Sequence, residues 1–298
     1  MASYFPGEGL FIKGCLHSHS TVTDGEFSPE ELADKYRNAG YGFLAITDHN
    51  ILLPHKELQD DKFVLLTGLE HDIAYTPNKC IHLIGISKEG KYETDYPCRR
   101  YSAGEISDQS LVDMMNADGQ FVFVAHPLWS RMEPEELESL QGYRAVEVYN
   151  HDTERAGHEG HSEVCWELLL RHGKRINALA TDDTHIKEGC FGGWVCVKAE
   201  NLSERAILKA LYEGAYYAST GPEIYDFGLD GEEAYLKCSA CREIYFVCYP
   251  ARGSSVIDRV GASLTEASHR LCGEEKYIRA VCVDEKGNKA WTNPIYFD

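Results

Sequence analysis

The chain has 298 residues, 43% hydrophobic and 26% charged, the make-up of an ordinary soluble globular protein with room for one unit of roughly 200–250 residues and a smaller module. Its 48 acidic against 29 basic residues leave a formal net charge of −19, and without a basic patch interleaved with aromatics such a surface argues against long nucleic acid as a partner. The opening Met-Ala-Ser-Tyr-Phe-Pro lacks a basic region leading into an apolar stretch, and no apolar run approaches the roughly 18 residues of a membrane span, so a cytoplasmic protein without a membrane partner is expected.

The first predicted strand, around Leu10, Phe11 and Ile12, leads into Cys15-Leu-His17-Ser-His19, with Asp24 five residues further on. Histidines at i and i+2 point the same way only on an extended backbone, which is a chelating geometry. Ser28-Pro29-Glu30-Glu31 reads as an N-cap serine, a proline at the first helical position and a capping-box glutamate. A helix begins there, with Leu32, Ala33, Tyr36 and Ala39 as its apolar stripe and Gly40 as its stop. Residues 41–46 form a strand running into Thr47-Asp48-His49-Asn50, residues 63–69 one ending at Glu70, and residues 81–86 one that carries His82 among apolar neighbours. Residues 87–105 read as a long polar loop, followed by a helix across 111–115. The strand 121–125 stops at His126-Pro127; 145–149 holds Glu147 and leads into Asn150-His151-Asp152. A helix around Val164 and 166–170 stops at Gly173, and the strand 176–180 runs into Thr181-Asp182-Asp183-Thr184-His185. A strand at 194–199, a helix from Ser203 to Tyr212 and a strand at 216–219 complete the series. Strands alternating with helices imply a parallel sheet with crossover connections.

From Glu223 the texture changes to short β runs at 234–237, 243–249, 276–283 and 290–297, with a hairpin turn at Asp284-Glu-Lys-Gly-Asn288. A boundary at Gly221-Pro222 would divide an α/β unit (1–221) from a small antiparallel, sandwich-like β-domain (222–298). The eleven cysteines are odd in number and scattered, and Cys196 and Cys282 lie in apolar runs, so idle thiols are expected. Cys238-Ser-Ala-Cys241 has no second pair and no neighbouring histidine, a weak sign of zinc or redox chemistry.

His17, His19, His49, Glu70, His126, Asp183 and His185 all fall at or just beyond the C-terminal end of an apolar run. Any one alone reads as a solvated loop residue; in an α/β barrel those ends converge on one face, and with His82 and Asp24 the set points to one site. So many imidazoles and carboxylates suit two or three divalent transition metal ions (zinc, manganese or iron) with a bridging carboxylate, whereas magnesium would prefer oxygen donors. Such metals activate water and polarise a phosphoryl or carbonyl oxygen, so the expected reaction is metal-assisted hydrolysis.

In order and spacing, His17-x-His19, Thr47-Asp48-His49, His126-Pro127 and Asp183-x-His185 resemble the four motifs of the PHP (polymerase and histidinol phosphatase) metallohydrolases, over residues 10–220. The resemblance implies a distorted seven-stranded β/α barrel with a bi- or trinuclear metal site. One metal would be held by His17, His19, Glu70 and Asp183, with Glu70 bridging to a second on His82 and His126, and His49, His185 and Asp24 on a third. Many trinuclear members carry histidine where this chain has Asp24, which leaves Asp24, His49 and His185 open to acid or base roles near the leaving group. Ala180-Thr-Asp-Asp-Thr-His185, Glu147-Val-Tyr-Asn150 and Trp291-Thr-Asn-Pro-Ile-Tyr296 resemble the branch with a small C-terminal β-domain, whose substrates include an ester or carbamate. The expected activity is that of a phosphoesterase on a small phosphate monoester or nucleotide-like phosphate. Ester, carbamate or amide hydrolysis on the same site and a non-catalytic metal-binding scaffold are the alternatives.

For the substrate, arginine matches phosphate oxygens bidentately. Arg131, five residues past His126, and Arg155, after the Glu147 strand, are the candidates. His151, with His158 and His161 in a second histidine-rich stretch, is a candidate lining residue. Trp129 and Trp194 fit either core or pocket wall.

Overall fold

The computed structural model describes residues 2–5, 9–88 and 98–297; residues 89–97 of the expected long loop lie outside them. A short strand β1 (Ala2–Ser3) precedes β2 (Leu10–Cys15), α1 (Pro29–Asn38), β3 (Phe43–Ile46), β4 (Val64–Thr76), β5 (Lys79–Ile86), α2 (Asp108–Ala117), β6 (Phe121–Val124), α3 (Pro134–Ser139), β7 (Ala145–Asn150), α4 (His151–Gly157), α5 (Glu163–Arg171), β8 (Asn177–Thr181), β9 (Trp194–Ala199), α6 (Glu204–Glu213) and β10 (Tyr216–Ser219). The capping box of α1 forms as its sequence dictates: the Ser28 hydroxyl accepts from Glu31 N, and the Glu31 carboxylate accepts from Ser28 N. The helix then buries Leu32, Ala33 and Tyr36 against the outer face of β3 and β4.

The ladders β2–β3–β4 and β6–β7–β8 are parallel, as alternating strands and helices require. Two departures break the series. Strand β4, 13 residues long, does not end at Glu70 but runs on to Thr76 and folds back as an antiparallel hairpin with β5, which is in turn antiparallel to β6. Strand β9 pairs antiparallel with β2. Inward residues of β2–β9, among them Phe43, Leu66, Ile84, Phe123, Leu179 and Val197, share one core with Ile207 and Leu211 of α6, so the sheet wraps around a common interior.

The expected seven-stranded barrel is not closed: among the described residues no ladder joins β8 to β9 or β10. A buried side chain spans part of that gap. Asn293 accepts from Ala178 N of β8 through Oδ1 (2.9 Å) and donates through Nδ2 to Gly214 O (3.1 Å) and Tyr216 O (3.0 Å), the latter on β10. The remaining strands are β11 (Ile224–Asp230), β12 (Glu233–Cys241), β13 (Glu243–Tyr249), β14 (Ser254–Ile257), β15 (Leu264–Arg270), β16 (Tyr277–Val283), β17 (Lys289–Thr292) and β18 (Ile295–Tyr296). Strands β1, β11, β12 and β15 form a four-stranded sheet. Strands β13, β14, β16 and β17 continue the large sheet past β10, through the register Tyr217–Thr292, Ala218–Trp291 and Ser219–Ala290. Trp291 thereby enters the core that contains Trp166 and Leu169 of α5.

Replacing Asn293 by alanine leaves one buried donor and two buried acceptors without their partner, each worth about 1–3 kcal/mol. Asn293→Ala is expected to lower the urea unfolding free energy by about 3 kcal/mol with the m-value unchanged; a loss below about 1 kcal/mol would show that the bridge does not hold β8 to β10.

Candidate metal centre

The strand ends deliver their residues to one place through loops that two buried aspartates anchor. Asp48 accepts from Ser20 N (2.8 Å), Ser20 Oγ (2.7 Å) and Thr23 Oγ1 (2.7 Å), which holds the turn leading to Asp24. Asp182 accepts from the Tyr36 hydroxyl (2.6 Å) and from the backbone N–H of Phe191, Gly192 and Gly193 (2.7–2.8 Å), fixing the turn that presents Asp183. His126 and Asp183 sit at φ 28° and 54°, a left-handed backbone that non-glycine residues adopt at a cost and that clusters at functional sites.

His17, His19, Glu70 and Asp183 converge. His17 Nε2 lies 3.1 Å from His19 Nε2, 3.0 Å from Asp183 Oδ1 and 3.3 Å from Glu70 Oε2. His19 Nε2 is 3.0 Å from Glu70 Oε2 and 3.1 Å from Asp183 Oδ1. Donors about 2.1 Å from a shared ion are separated by edges of roughly 3.0–3.4 Å. Glu70 Oε2 and Asp183 Oδ1 are buried and accept no hydrogen bond, an arrangement that is costly for carboxylates unless a cation faces them. The donor set fits a divalent metal ion.

Two further groups adjoin the first. His82 Nδ1 donates to Glu70 Oε1 (2.8 Å), while His49 Nδ1 lies 3.2 Å from Glu70 Oε2, so His49, Glu70 and His82 gather on one side. His126 Nε2 approaches Glu70 Oε1 and Asp183 Oδ2, both at 3.6 Å. On the other side stand His19, Asp24, His49 and His185, with Asp24 3.4 Å from His49 Nε2 and 3.6 Å from His185 Nε2. All nine residues expected to bind metal thus come together, although His82 groups with His49 as well as with His126. Strand pairing explains part of this: Glu70 and Asp72 alternate onto one face of β4, and Asp72 is the register partner of His82.

Burial opposes charging the imidazoles, but the carboxylates prevail. Glu70 pushes His82 up to about 10, and the hydrogen bond to Asp24, with Asp183 nearby, pushes His185 up to about 9. His17 is raised by Asp183, Glu70 and Glu147. Against their own burial, Glu70 and Asp183 are held well below the usual carboxylate range, chiefly by His17. Half-exposed Asp24 is likewise held low by His185 and His49. The metal-free site is therefore a mesh of imidazolium and carboxylate.

Glu147 is the residue the sequence reading left out of the site. Fully buried, it accepts from His17 Nδ1 (2.7 Å), Thr181 Oγ1 (2.7 Å), His126 N (2.9 Å) and Asn150 Nδ2 (2.8 Å), so that His17 turns Nε2 to the cluster. Its sequence signals are a lone acid inside an apolar strand and its place in the stretch Glu147-Val-Tyr-Asn150. Asn150 also donates to Asp183 Oδ2 (3.1 Å), and Ser130 Oγ hydrogen-bonds His126 Nδ1 at 3.0 Å.

A cavity of about 280 Å³ opens on the cluster, walled by Asp24, His49, His82, Trp129, Asp152 and His185 among others. A groove of about 720 Å³ adjoins it, bordered by Lys79, Arg100, Trp129 and Arg131. Arg131 reaches the groove, but its guanidinium is paired bidentately with Glu159 at 2.8 Å on both arms. Arg155 is paired with Asp152 (3.5 Å), and His151 shares a 3.0 Å hydrogen bond with the Tyr149 hydroxyl; neither lines the cavity. Trp129 is a pocket wall, 40% exposed, with its ring against His126 and His82. Arg100, paired with Asp72 beside the cavity, was not foreseen.

Ligation requires neutral imidazole, so metal loading must displace protons. The raised His82 and His185 values put the effect above neutrality: apparent metal affinity is expected to keep rising from about pH 7 to about pH 10, with proton release detectable in weakly buffered titrations. Glu147→Gln keeps the shape but not the charge behind His17 and is expected to weaken metal binding about 10- to 100-fold by chelator competition, with the fold retained.

No protein-family model matches the chain. Thirty-nine residues, 13% of the chain, are 54% identical to DNA polymerase/3'-5' exonuclease PolX of Bacillus subtilis (strain 168), of which they span 7%. Among solved structures, a two-domain protein of Bacteroides vulgatus ATCC 8482, described as containing a predicted PHP-like metal-dependent phosphoesterase, matches with a TM-score of 0.53 at 16% identity, covering 96% of each chain. An amidohydrolase of Chromobacterium violaceum, with bound sulfate and no metal, matches 58% of this chain and 88% of its own at 17% identity and a TM-score of 0.42. Among the described residues no helix is long and apolar enough to cross a membrane. The chain shares its fold with that two-domain protein of Bacteroides vulgatus over 96% of both chains.

Proposed function

We propose that the protein is a metal-dependent phosphoesterase that hydrolyses a small phosphate ester, with two or three zinc, manganese or iron ions as cofactor. The observation that carries this reading is the convergence of His17, His19, Glu70 and Asp183, with two carboxylate oxygens buried and unpartnered, at the floor of a substrate-sized cavity. His17, His19, Glu70 and Asp183 would hold one ion; Glu70 turns its other oxygen toward His82 and His126, which would hold a second. Bound there, the ions supply Lewis acidity toward the phosphoryl oxygen and lower the pKa of water. Asp24, His49 and His185 stand on the open side of the cavity, next to where a leaving group departs, and either hold a third ion or handle its proton. Lys79, Arg100 and Arg131 line the adjoining groove, each paired with an acid, Glu136, Asp72 and Glu159 in turn, so the bound cations would be what draws in an anion.

A second reading rests on one observation. Among the described residues the cavity wall contains no lysine or arginine, and Arg100 and Arg131 are already paired with Asp72 and Glu159. A neutral ester, carbamate or amide fits that wall as well as a phosphate does.

The test is to load the chain with manganese or zinc, count bound metal, and assay p-nitrophenyl phosphate and a phosphate-ester panel beside aryl esters and carbamates. Phosphate ester hydrolysis is expected, lost together with metal in His17→Ala and Asp183→Asn. Activity on esters or carbamates alone selects the second reading, and less than about one equivalent of metal per chain overturns both. In the same assay, Asp24→Asn with lowered kcat at full metal content assigns proton transfer to Asp24, whereas loss of metal assigns ligation.

A further inference from the structure

Far along the chain from the strand-end cluster, a thiol, an imidazole and a carboxylate meet in the C-terminal β-region. The ligand atoms of Cys248, His269 and Glu275 all lie within 4.8 Å of one another. Cys248 belongs to β13 in the large sheet, His269 to β15 in the four-stranded sheet, and Glu275 to the segment entering β16, so the cluster joins the two sheets. Packing is thin there: β14 is exposed along its whole length, and β15 has no buried residue.

Each of the three side chains is oriented. The Ser254 hydroxyl hydrogen-bonds His269 Nδ1 at 2.8 Å, and the imidazole stacks on Phe246 at 5.8 Å between centroids and 26° between planes. Nε2 is left facing Cys248 Sγ at 3.9 Å, near the roughly 3.6 Å edge between nitrogen and sulfur donors on one tetrahedral zinc. The Glu275 carboxylate, 7% exposed, is steered by the backbone N–H of Cys272 (2.8 Å) and Gly273 (2.9 Å). Cys248 is 6% exposed and borders a surface groove of about 540 Å³, together with Ser254, through which an ion can reach it.

We infer that Cys248, His269 and Glu275 form a structural zinc site that staples the two sheets of the C-terminal β-region together. Sulfur, imidazole nitrogen and carboxylate are the donors zinc takes, and one thiolate with one carboxylate neutralises a divalent ion, which suits a half-buried position. Water or the exposed Cys272, three residues before Glu275, would supply a fourth donor. A cysteine nucleophile activated by histidine fits less well: burial, then the Glu275 carboxylate, push the thiol up to about 11, away from the reactive range. Nor does the other thiol group compete. Cys238, Cys241 and Cys282 also converge, but at 0–1% exposure in an apolar core, where three thiolates around a divalent ion would leave a buried net charge; they pack as small hydrophobes.

Cobalt(II) substitution of the metal-stripped full chain tests this independently of catalysis when it is carried out in a Cys80→Ala background, because the Cys80 thiol stands against His82 at the strand-end centre. A near-ultraviolet thiolate-to-cobalt charge-transfer band is expected to saturate at about one equivalent, to disappear when zinc is added, and to survive Cys238→Ala. Cys248→Ala should abolish it, and His269→Ala, at a partly exposed position, should weaken cobalt and zinc binding about 100-fold while circular dichroism stays native. If Cys248→Ala fails to fold, His269→Ala decides. The inference is overturned if folded protein in excess cobalt shows no such band, if His269→Ala binds as tightly as the parent chain, or if the band is lost with Cys238→Ala instead.

Discussion

The metal-binding face depends on one buried carboxylate whose charge partner is an imidazole rather than a lysine or arginine. Glu147 is fully inaccessible and gathers His17, His126, Asn150 and Thr181, residues from the ends of four strands, around two oxygens. Such a group persists only where every lone pair is used, because a buried carboxylate stripped of partners costs several kcal/mol. The strand ends are consequently held in one mutual arrangement, and the tilt of His17, the start of the His126 turn and the position of Asp183 through Asn150 follow from it.

Around that tie the chain concentrates carboxylates and imidazoles that face one another at close range. Glu70 and Asp183 turn unpartnered oxygens inward, the imidazoles are raised by them, and His126 and Asp183 occupy left-handed backbone. A region that concentrates carboxylate, imidazole and backbone strain is stable only because its neighbours fix it, the signature of a site preorganised for a cation. Asp48 and Asp182 belong to this scaffold and not to the ligand set. Each consumes its oxygens on N–H and O–H donors of the loops that carry Asp24 and Asp183, which explains why an aspartate directly precedes both His49 and Asp183.

Much of this was legible in the sequence because it depends on local rules. Apolar runs interrupted by histidine, capping boxes and glycine stops mark strands and helices close to their observed limits, and the pattern of ligand-type residues at run ends points seven residues to one face, joined there by Asp24 and His82. What escaped depends on distant partners. Residues 70–76 look like the end of a strand because Glu70, His71 and Asp72 break the hydrophobic run, yet they alternate sides and continue the ladder with β5. Glu147 differs in sequence from any polar residue in a strand only through the four partners it meets. Arg131 and Arg155 looked like phosphate ligands by position, but long side chains settle on the nearest acid, here Glu159 and Asp152. Cys248, His269 and Glu275 have no recognisable spacing because three separate segments supply them.

The Asn293 bridge carries a consequence for the order of folding. The gap between β8 and β10 is spanned by a side chain 115 residues away from its β8 partner, Ala178, on the segment where β17 has just paired with β10. Ala178 N, Gly214 O and Tyr216 O thus find their folded-state partner only when residues 289–293 dock, so the last bonds of the α/β part form together with the β-rich part. Contacts of such sequence separation are slow to form. The two halves, distinct in texture, are bound to mature as one cooperative unit.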